Sequence, residues 1–513
     1  MLISSDLIGE PGSDAWWMNR LGTIMSARTP HVYRMLEWYF GNAPMPDLDA
    51  MVDDKTAAAY KRLVKLSRMN LASLLVDARL PRMRLSGART TADDSPNGDD
   101  VVAELLREQN LNVKLRLAWR DALVTGKGYI VSTVGGMMHS SPLNTVCVTD
   151  SFGNVAAAMT VYVDEMTQEN VLLLARPGYV REARSSTGMC VLPNAIYEAK
   201  NGGAFKPGLF ANEDAKVWSM MADRWELGEP SPTGTEGVPV YEFAYDRGLL
   251  KKHEASMLRI NQILLQRSVI FATQAFKQQV VLDAPMTDES GNPIDYSKIQ
   301  MDNSPGSLWF LPRGAKFWES STADTSPMQE ALQDELRNLA GESRTPLFML
   351  SSDSVNASSE GASAQRELLA FDIEEREDLF TETLKRLISD ALIARGETER
   401  ADRAQMRIEW VDPRRPSQLE RATAIAAATG AGIPLDTALR KFGGFTPDEV
   451  EETMREVGVG KLIDTLSSNV APLENPYPEV TPGQEEAPAS STEVVDTAVN
   501  FSPDANRISK TGA

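Results

Sequence analysis

The 513-residue chain is poor in the residues that build metal centres and disulfide frameworks. It has two cysteines, Cys147 and Cys190, no CxxC, and only His31, His139 and His253. Buried structural thiols are the better expectation than a zinc site or a disulfide scaffold. No run approaches the roughly 18 consecutive apolar residues that a membrane span requires, so none is expected. The opening "MLISSDLIGEPGSDAWW" lacks the basic start and apolar core of a secretory signal, and a cytoplasmic product is expected. Positive charge is also short. Lys and Arg total 52 against 72 Asp and Glu, a formal net charge of −20 that opposes the basic footprint of a protein gripping nucleic acid.

Nucleotide and hydrolase motifs are missing too. "VTGKGY" at 124–129 and "GVGKLI" at 458–463 lack the spacing of a phosphate-binding loop, and no HExxH or GxSxG occurs. The carboxylates of "DIEEREDLF" at 372–380 read as a solvated helix face rather than a catalytic pair. No enzymatic activity, metal or cofactor is expected.

Against those absences stands a long chain with 42% hydrophobic and 24% charged residues, enough for two to four packed units. Residues 55–80 read as one helix, with Tyr60, Leu63, Val64, Leu71, Leu74 and Leu75 near helical spacing and Pro81 as its stop. "PRMRLSG" reads as a short strand and turn, 100–126 as further helix and "GYIVSTV" as a strand, making the first 130 residues α+β. From 143 to 245, β-prone pieces alternate with turn-forming clusters: "AAAMTVYV", "NVLLLARPGYVREA", "AKVWSMMADRWELG" and "PVYEFAYD" predict a mostly antiparallel sheet.

Residues 251–278 predict a helix apolar on more than one face, which calls for packing on several sides. A short β-prone insert with a Gly-Asn-Pro turn at 291–293 follows, and then a helix from 326. Ser326 fits its N-cap, Pro327 its first position and Gln329 a capping box. Trp309, Phe310, Phe317 and Trp318 in the insert could stack bases, but only Arg313 and Lys316 accompany them, which favours strand core or a protein interface. A small polar loop at 345–362 carries Ser351, Ser352, Ser354, Asn356, Ser358 and Ser359. It leads into a predicted helix over 363–395, with Leu369, Ile373, Phe380, Leu384, Leu387 and Ala391 at helical spacing and Gly396 as its end. After the strand-like "MRIEWVDP" come three short helices, starting near Ser417, 435 and Thr446. A Pro-rich acidic tail from about 466 predicts disorder.

The stretches "MNLASLLVDARLPRMRLSG" at 69–87, "AWRDALVTGKGYIVS" at 118–132, the two helices flanking the β insert, and "TPLFML" with "NASSEGASAQRE" at 345–367 resemble, in that order, phage portal proteins of long-tailed actinobacteriophages. The resemblance implies an α+β portal fold. Its parts would be a wing at 1–250, stem helices at 251–278 and 326–344, a clip at 279–325 and a tunnel loop at 345–362. A long wing helix and strand would follow at 363–412, then an α-helical crown at 413–465 and a disordered tail at 466–513.

It also implies a dodecameric ring in the virion, assembled in the host cytoplasm. The implied partners are terminase, the major capsid and scaffold proteins, a head-completion adaptor, and double-stranded DNA held by weak contacts. Ser351, Ser352, Ser354, Asn356, Ser358 and Ser359 would then face the DNA channel. Trp309, Phe310, Phe317 and Trp318 become candidates for the clip interface. Another head structural protein, or a packaging ATPase or nuclease, stays open as an alternative at this level.

Overall fold

The computed structural model describes residues 10–44, 62–93, 98–133, 135–186, 225–274, 279–283, 286–287, 290–294, 316–319, 324–351, 359–414, 418–445 and 449–458. Two compact units are present, 1–445 and 446–513; of the second, residues 449–458 are described and form a helix.

The first unit mixes helices with antiparallel sheets, as the α+β reading expects. Helix α1 (Asp14–Tyr39) starts at Ser13, whose hydroxyl accepts from the Trp16 amide. It is followed by α2 (Leu71–Asp77), β1 (Leu85–Arg89), α3 (Asp100–Glu108) and α4 (Leu111–Thr125).

The single helix expected over 55–80 is broken. Residues 62–66 are helical, the helix stops, and α2 begins afresh at Asn70, whose side-chain oxygen accepts from the Ser73 amide. The same Asn70 donates its Nδ2 to Tyr39 O, and the Met69 amide donates to Asn261 Oδ1. Those tertiary bonds take backbone and side-chain groups at the break, so the local periodicity is overridden.

One sheet has the order β3-β2-β9, formed by Gly136–Ser140, Lys127–Thr133 and Val240–Ala244. A second, larger sheet has the order β4-β5-β6-β7-β8, formed by Thr145–Thr149, Val155–Asp164, Glu169–Arg176, Tyr179–Ser186 and Glu226–Pro232. Every neighbour is antiparallel. "PVYEFAYD" therefore joins the smaller sheet, beside β2. Of "AKVWSMMADRWELG", only residues from Trp225 onward lie among those described. In β5–β6 the register Val161↔Leu172 and Met159↔Leu174 puts buried apolar pairs opposite one another, which is how a sheet gains most of its stability.

The chain continues through α5 (Leu249–Gln274), β10 (Gln279–Leu282), β11 (Lys316–Glu319), α6 (Ser326–Glu342), α7 (Leu347–Leu350) and α8 (Ser359–Ala394). Strand β12 (Arg407–Trp410) pairs back on β1. Helices α9 (Gln418–Gly430) and α10 (Leu435–Ala438), with a π-helical turn at Leu439–Gly443, close the unit. At 36 residues, α8 spans about 54 Å.

The main core is knotted at Trp119 of α4. Its ring lies parallel to Phe380 of α8 at 6.4 Å, while Phe243 of β9 meets Phe380 edge-on at 5.5 Å. Offset-stacked and edge-on geometries are the two that aromatic quadrupoles favour. They fasten α4, β9 and α8 into one body. Beneath α4, β2 approaches so closely that Gly128 has no room for a side chain: an added Cβ would lie 1.8 Å from Ala118 O.

Candidate functional site

Helices α5 and α6 run antiparallel. Ser256 Oγ donates to Glu342 Oε2 at 3.0 Å, Arg259 Nη2 to Glu335 Oε2 at 3.0 Å, and Arg267 Nη1 to Gln329 Oε1 at 3.0 Å, so rising numbers on one helix meet falling numbers on the other. Met257 and Ile260 of α5 and Leu332, Leu336 and Leu339 of α6 are buried. The expected capping box does not form as read. Thr325, not Ser326, is the N-cap, the Ser326 amide donates to Asp324 Oδ1, and Gln329 is used by Arg267 across the pair. Of the wide apolar surface expected on α5, Phe271 is exposed.

The β insert begins where α5 ends and returns where α6 starts. Strands β10 and β11 pair antiparallel, with Val280 opposite Trp318 and Val281 opposite Phe317. Trp318 and Leu282 are exposed, and Lys316 Nζ pairs with Asp283 Oδ2 at 2.9 Å. Trp309 and Phe310 lie outside the described residues, and of Phe317 only the backbone is described.

The loop expected over 345–362 is shorter than that. Residues 347–350 form α7, the Ser351 amide closes it by donating to Leu347 O at 2.9 Å, and α8 already starts at Ser359. Ser351 is half-buried; Ser352, Ser354, Asn356 and Ser358 lie outside the described residues, and nothing is described of the Ser359 side chain.

What the sequence reading missed is the anchor under this loop. Arg79 is fully buried at the end of α2. Its Nε donates to Asp372 Oδ2 at 2.7 Å, its Nη1 to Thr345 Oγ1 at 3.1 Å and to Leu75 O at 2.7 Å, and its Nη2 to Ser343 O. Arg376, also buried, pairs with the same Asp372 Oδ2 at 2.6 Å and donates to Tyr245 OH at 2.8 Å. One carboxylate thus serves two buried guanidiniums, with exposed Arg344 3.9 Å from its other oxygen, and Arg79 ties the end of α6, the start of α7 and the first half of α8 to α2. Burial lowers the Arg79 pKa and Asp372 opposes that shift. A signal was available: Leu71, Leu75 and Arg79 recur at four-residue intervals, which puts the arginine on the apolar stripe.

Asp372, Arg376 and Glu377 are all buried, which corrects the reading of 372–380 as a solvated face. Glu377 Oε1 has no hydrogen-bond partner among the described residues. Burial first, then Glu374, Asp378 and Asp412, pushes its carboxyl up to about 8.

Lys127 of "VTGKGY", half-buried, is engaged by a carboxylate instead of being free for phosphate. Its Nζ pairs with Glu242 Oε1 at 2.7 Å, and Glu242 Oε2 accepts from Tyr129 OH at 2.9 Å and from Cys147 Sγ at 2.8 Å. Burial pulls the Glu242 carboxyl up, but Lys127, Cys147 and Tyr129 together bring it below its usual value. Burial and then Glu242 push the Cys147 thiol well above its ordinary range, so it is an inert, buried thiol, as expected. Cys190 and Lys461 lie outside the described residues. Among the described residues no His/Cys/Asp/Glu cluster could hold a metal ion, and no helix is long and apolar enough to cross a membrane.

No protein family and no curated protein matches the chain. Similar chains occur in solved assemblies, two of which follow. One is the virion of a native gene transfer agent particle, at 12% identity and a TM-score of 0.36, covering 74% of this chain and 90% of that one. The other is the neck of an empty gene transfer agent particle computed with C6 symmetry, at 10% identity and a TM-score of 0.35, covering 76% of this chain and 93% of that one. At these values the likeness carries no argument about fold or function.

Proposed function

We propose that this chain is a portal subunit, one of twelve copies in a ring through which double-stranded DNA enters and leaves a phage head. The observation that carries the reading is the antiparallel α5–α6 pair, joined at one end by the β10–β11 insert and held at the other, at Ser343 and Thr345, by buried Arg79. In this reading α5 and α6 are the stem and the insert is the clip, which meets terminase and later a head-completion adaptor. The α+β body with α8 is the wing, and the helices from 413 form the crown. Ser351, Ser352, Ser354, Asn356, Ser358 and Ser359 face the channel.

The chemistry of that loop suits a conduit. Hydroxyls and amides offer phosphate transient hydrogen bonds, whereas each cation would add affinity by releasing counterions. The proposed role is structural, with no catalytic step.

Native mass spectrometry and electron microscopy of the purified protein test the reading. A closed ring with twelvefold symmetry is expected. A species that stays monomeric at micromolar concentration and physiological salt overturns it.

A further inference from the structure

The outward face of α8 carries three large apolar side chains among acids. Leu368, Phe371 and Leu379 are 52%, 52% and 56% exposed, at positions i, i+3 and i+11, which share one side of a helix. Exposed Glu375 sits within the same stripe, four residues after Phe371 and four before Leu379, and exposed Glu367 and Asp378 lie beside it. Glu375 reaches Arg344 at 3.4 Å, while no ion pair is formed by Glu367 or Asp378 among the described residues. The stripe is thus a ridge that mixes large apolar side chains with acids. Three large side chains left in water on one helix face mark an interaction surface more often than a lone exposed residue does.

Helix α4 presents the opposite character. Its charged side chains are Lys114, Arg116, Arg120 and Asp121, and the one acid is buried. Val113 is 53% exposed, and Arg116 and Arg120 follow it at i+3 and i+7 on the same side. Arg120 bonds Asp121, whereas Arg116 is exposed with no ion pair among the described residues. Phe40, at the end of α1, and Leu74 of α2 are exposed as well. Tyr39 OH donates to Asp77 Oδ1 and so ties the end of α1 to α2.

We propose that the Leu368–Phe371–Leu379 face of α8 docks on the Val113–Arg116 face of α4 in a second copy of this chain. The proposal rests on the ring reading above and assigns the two faces that meet. Inside one subunit Phe380 and Trp119 stack, so α8 and α4 turn their inner sides towards a shared core and their outer sides away from it. A contact between two different faces is heterologous, and such contacts build a ring when the rotation between neighbours closes on itself. Charge argues for this pairing: a chain of net charge −20 repels its copies on average, so an acidic ridge needs a locally cationic partner surface to approach.

The test is ring fraction by native mass spectrometry over a protein dilution series, using the full chain. Arg116→Glu and Asp378→Lys are each expected to move the assembly midpoint to about tenfold higher concentration, because each puts like charges in apposition. Combining both in one chain is expected to bring the midpoint back towards wild type, a rescue that a purely structural defect would not give. Amide hydrogen exchange on the unmodified protein adds a second measurement: residues 111–120 and 364–382 should be slowed together in rings relative to dilute subunits. Rings that form normally with either charge reversed, or without protection of either helix, overturn this docking, leave the ring reading standing and leave α8 to another partner. A double variant worse than both singles also overturns it. A wild-type chain that stays monomeric overturns the ring reading itself.

Discussion

Arg79 and Asp372 are 293 positions apart in the chain and 2.7 Å apart in the interior, and Arg376 shares the same carboxylate oxygen at 2.6 Å. Removing the acid would leave two buried guanidiniums without their counter-charge. Breaking a buried pair from one side costs about 3–5 kcal/mol, because the remaining charge stays desolvated. Asp372→Ala is expected to lose stability on that scale in denaturant titrations. A loss below about 1 kcal/mol would mean that water reaches the site.

Glu377 gives stability a pH dependence of unusual sign. Its folded-state carboxyl titrates at about 8 against an ordinary value of 4.5, so between those values the unfolded chain releases a proton that the native state keeps. Stability from this group therefore falls as pH rises through that window and levels off above it. Glu377→Gln is expected to flatten the decline and to melt higher than wild type near pH 8. Parallel melting curves for the two proteins from about pH 5 to pH 9 would contradict the assignment.

Asn70 restarts the helix and ties it to the end of α1 through Tyr39 O. Asn70→Ala removes an N-cap and a tertiary bond together, for an expected loss of about 1–2 kcal/mol. Chemical denaturation reads it directly, and an unchanged midpoint would show that water replaces both bonds.

Gly128 and Gly87 make a matched pair of strand glycines. An added Cβ at Gly128 would lie 1.8 Å from the backbone oxygen of Ala118, whereas at Gly87 nothing lies within 4 Å. Gly128→Ala must push α4 off β2, with an expected loss above about 3 kcal/mol or failure to accumulate as folded protein. Gly87→Ala should stay within about 0.5 kcal/mol of wild type. Equal behaviour of the two in thermal melts would count against the close approach.

If the loop between α7 and α8 lines a DNA path, cations there should brake the DNA. Ser354→Lys with Ser358→Lys, repeated around a twelvefold ring, sets a dense positive collar about a polyanion, and each neutralised phosphate adds affinity. Reduced DNA per head with normal ring yield is the expected outcome, and normal packaging in the same assay would place the loop elsewhere.

The sequence by itself determined the elements whose signals are contiguous. The apolar spacing from Leu369 to Ala391 announced α8, the β-prone stretches around Ala158 and Leu172 announced β5 and β6, and the turn clusters between them announced an antiparallel sheet. Only the tertiary structure decided which elements meet. Period-two alternation states which face a strand buries and not which strand lies beside it, so the pairing of β9 with β2 and of β12 with β1 had no local signal. The charged run at 372–380 read as solvated because exposure is the usual fate of charge. Its Asp372 and Arg376 are inside because Arg79 and Tyr245, far away in sequence, supply the partners that make a buried charge tolerable.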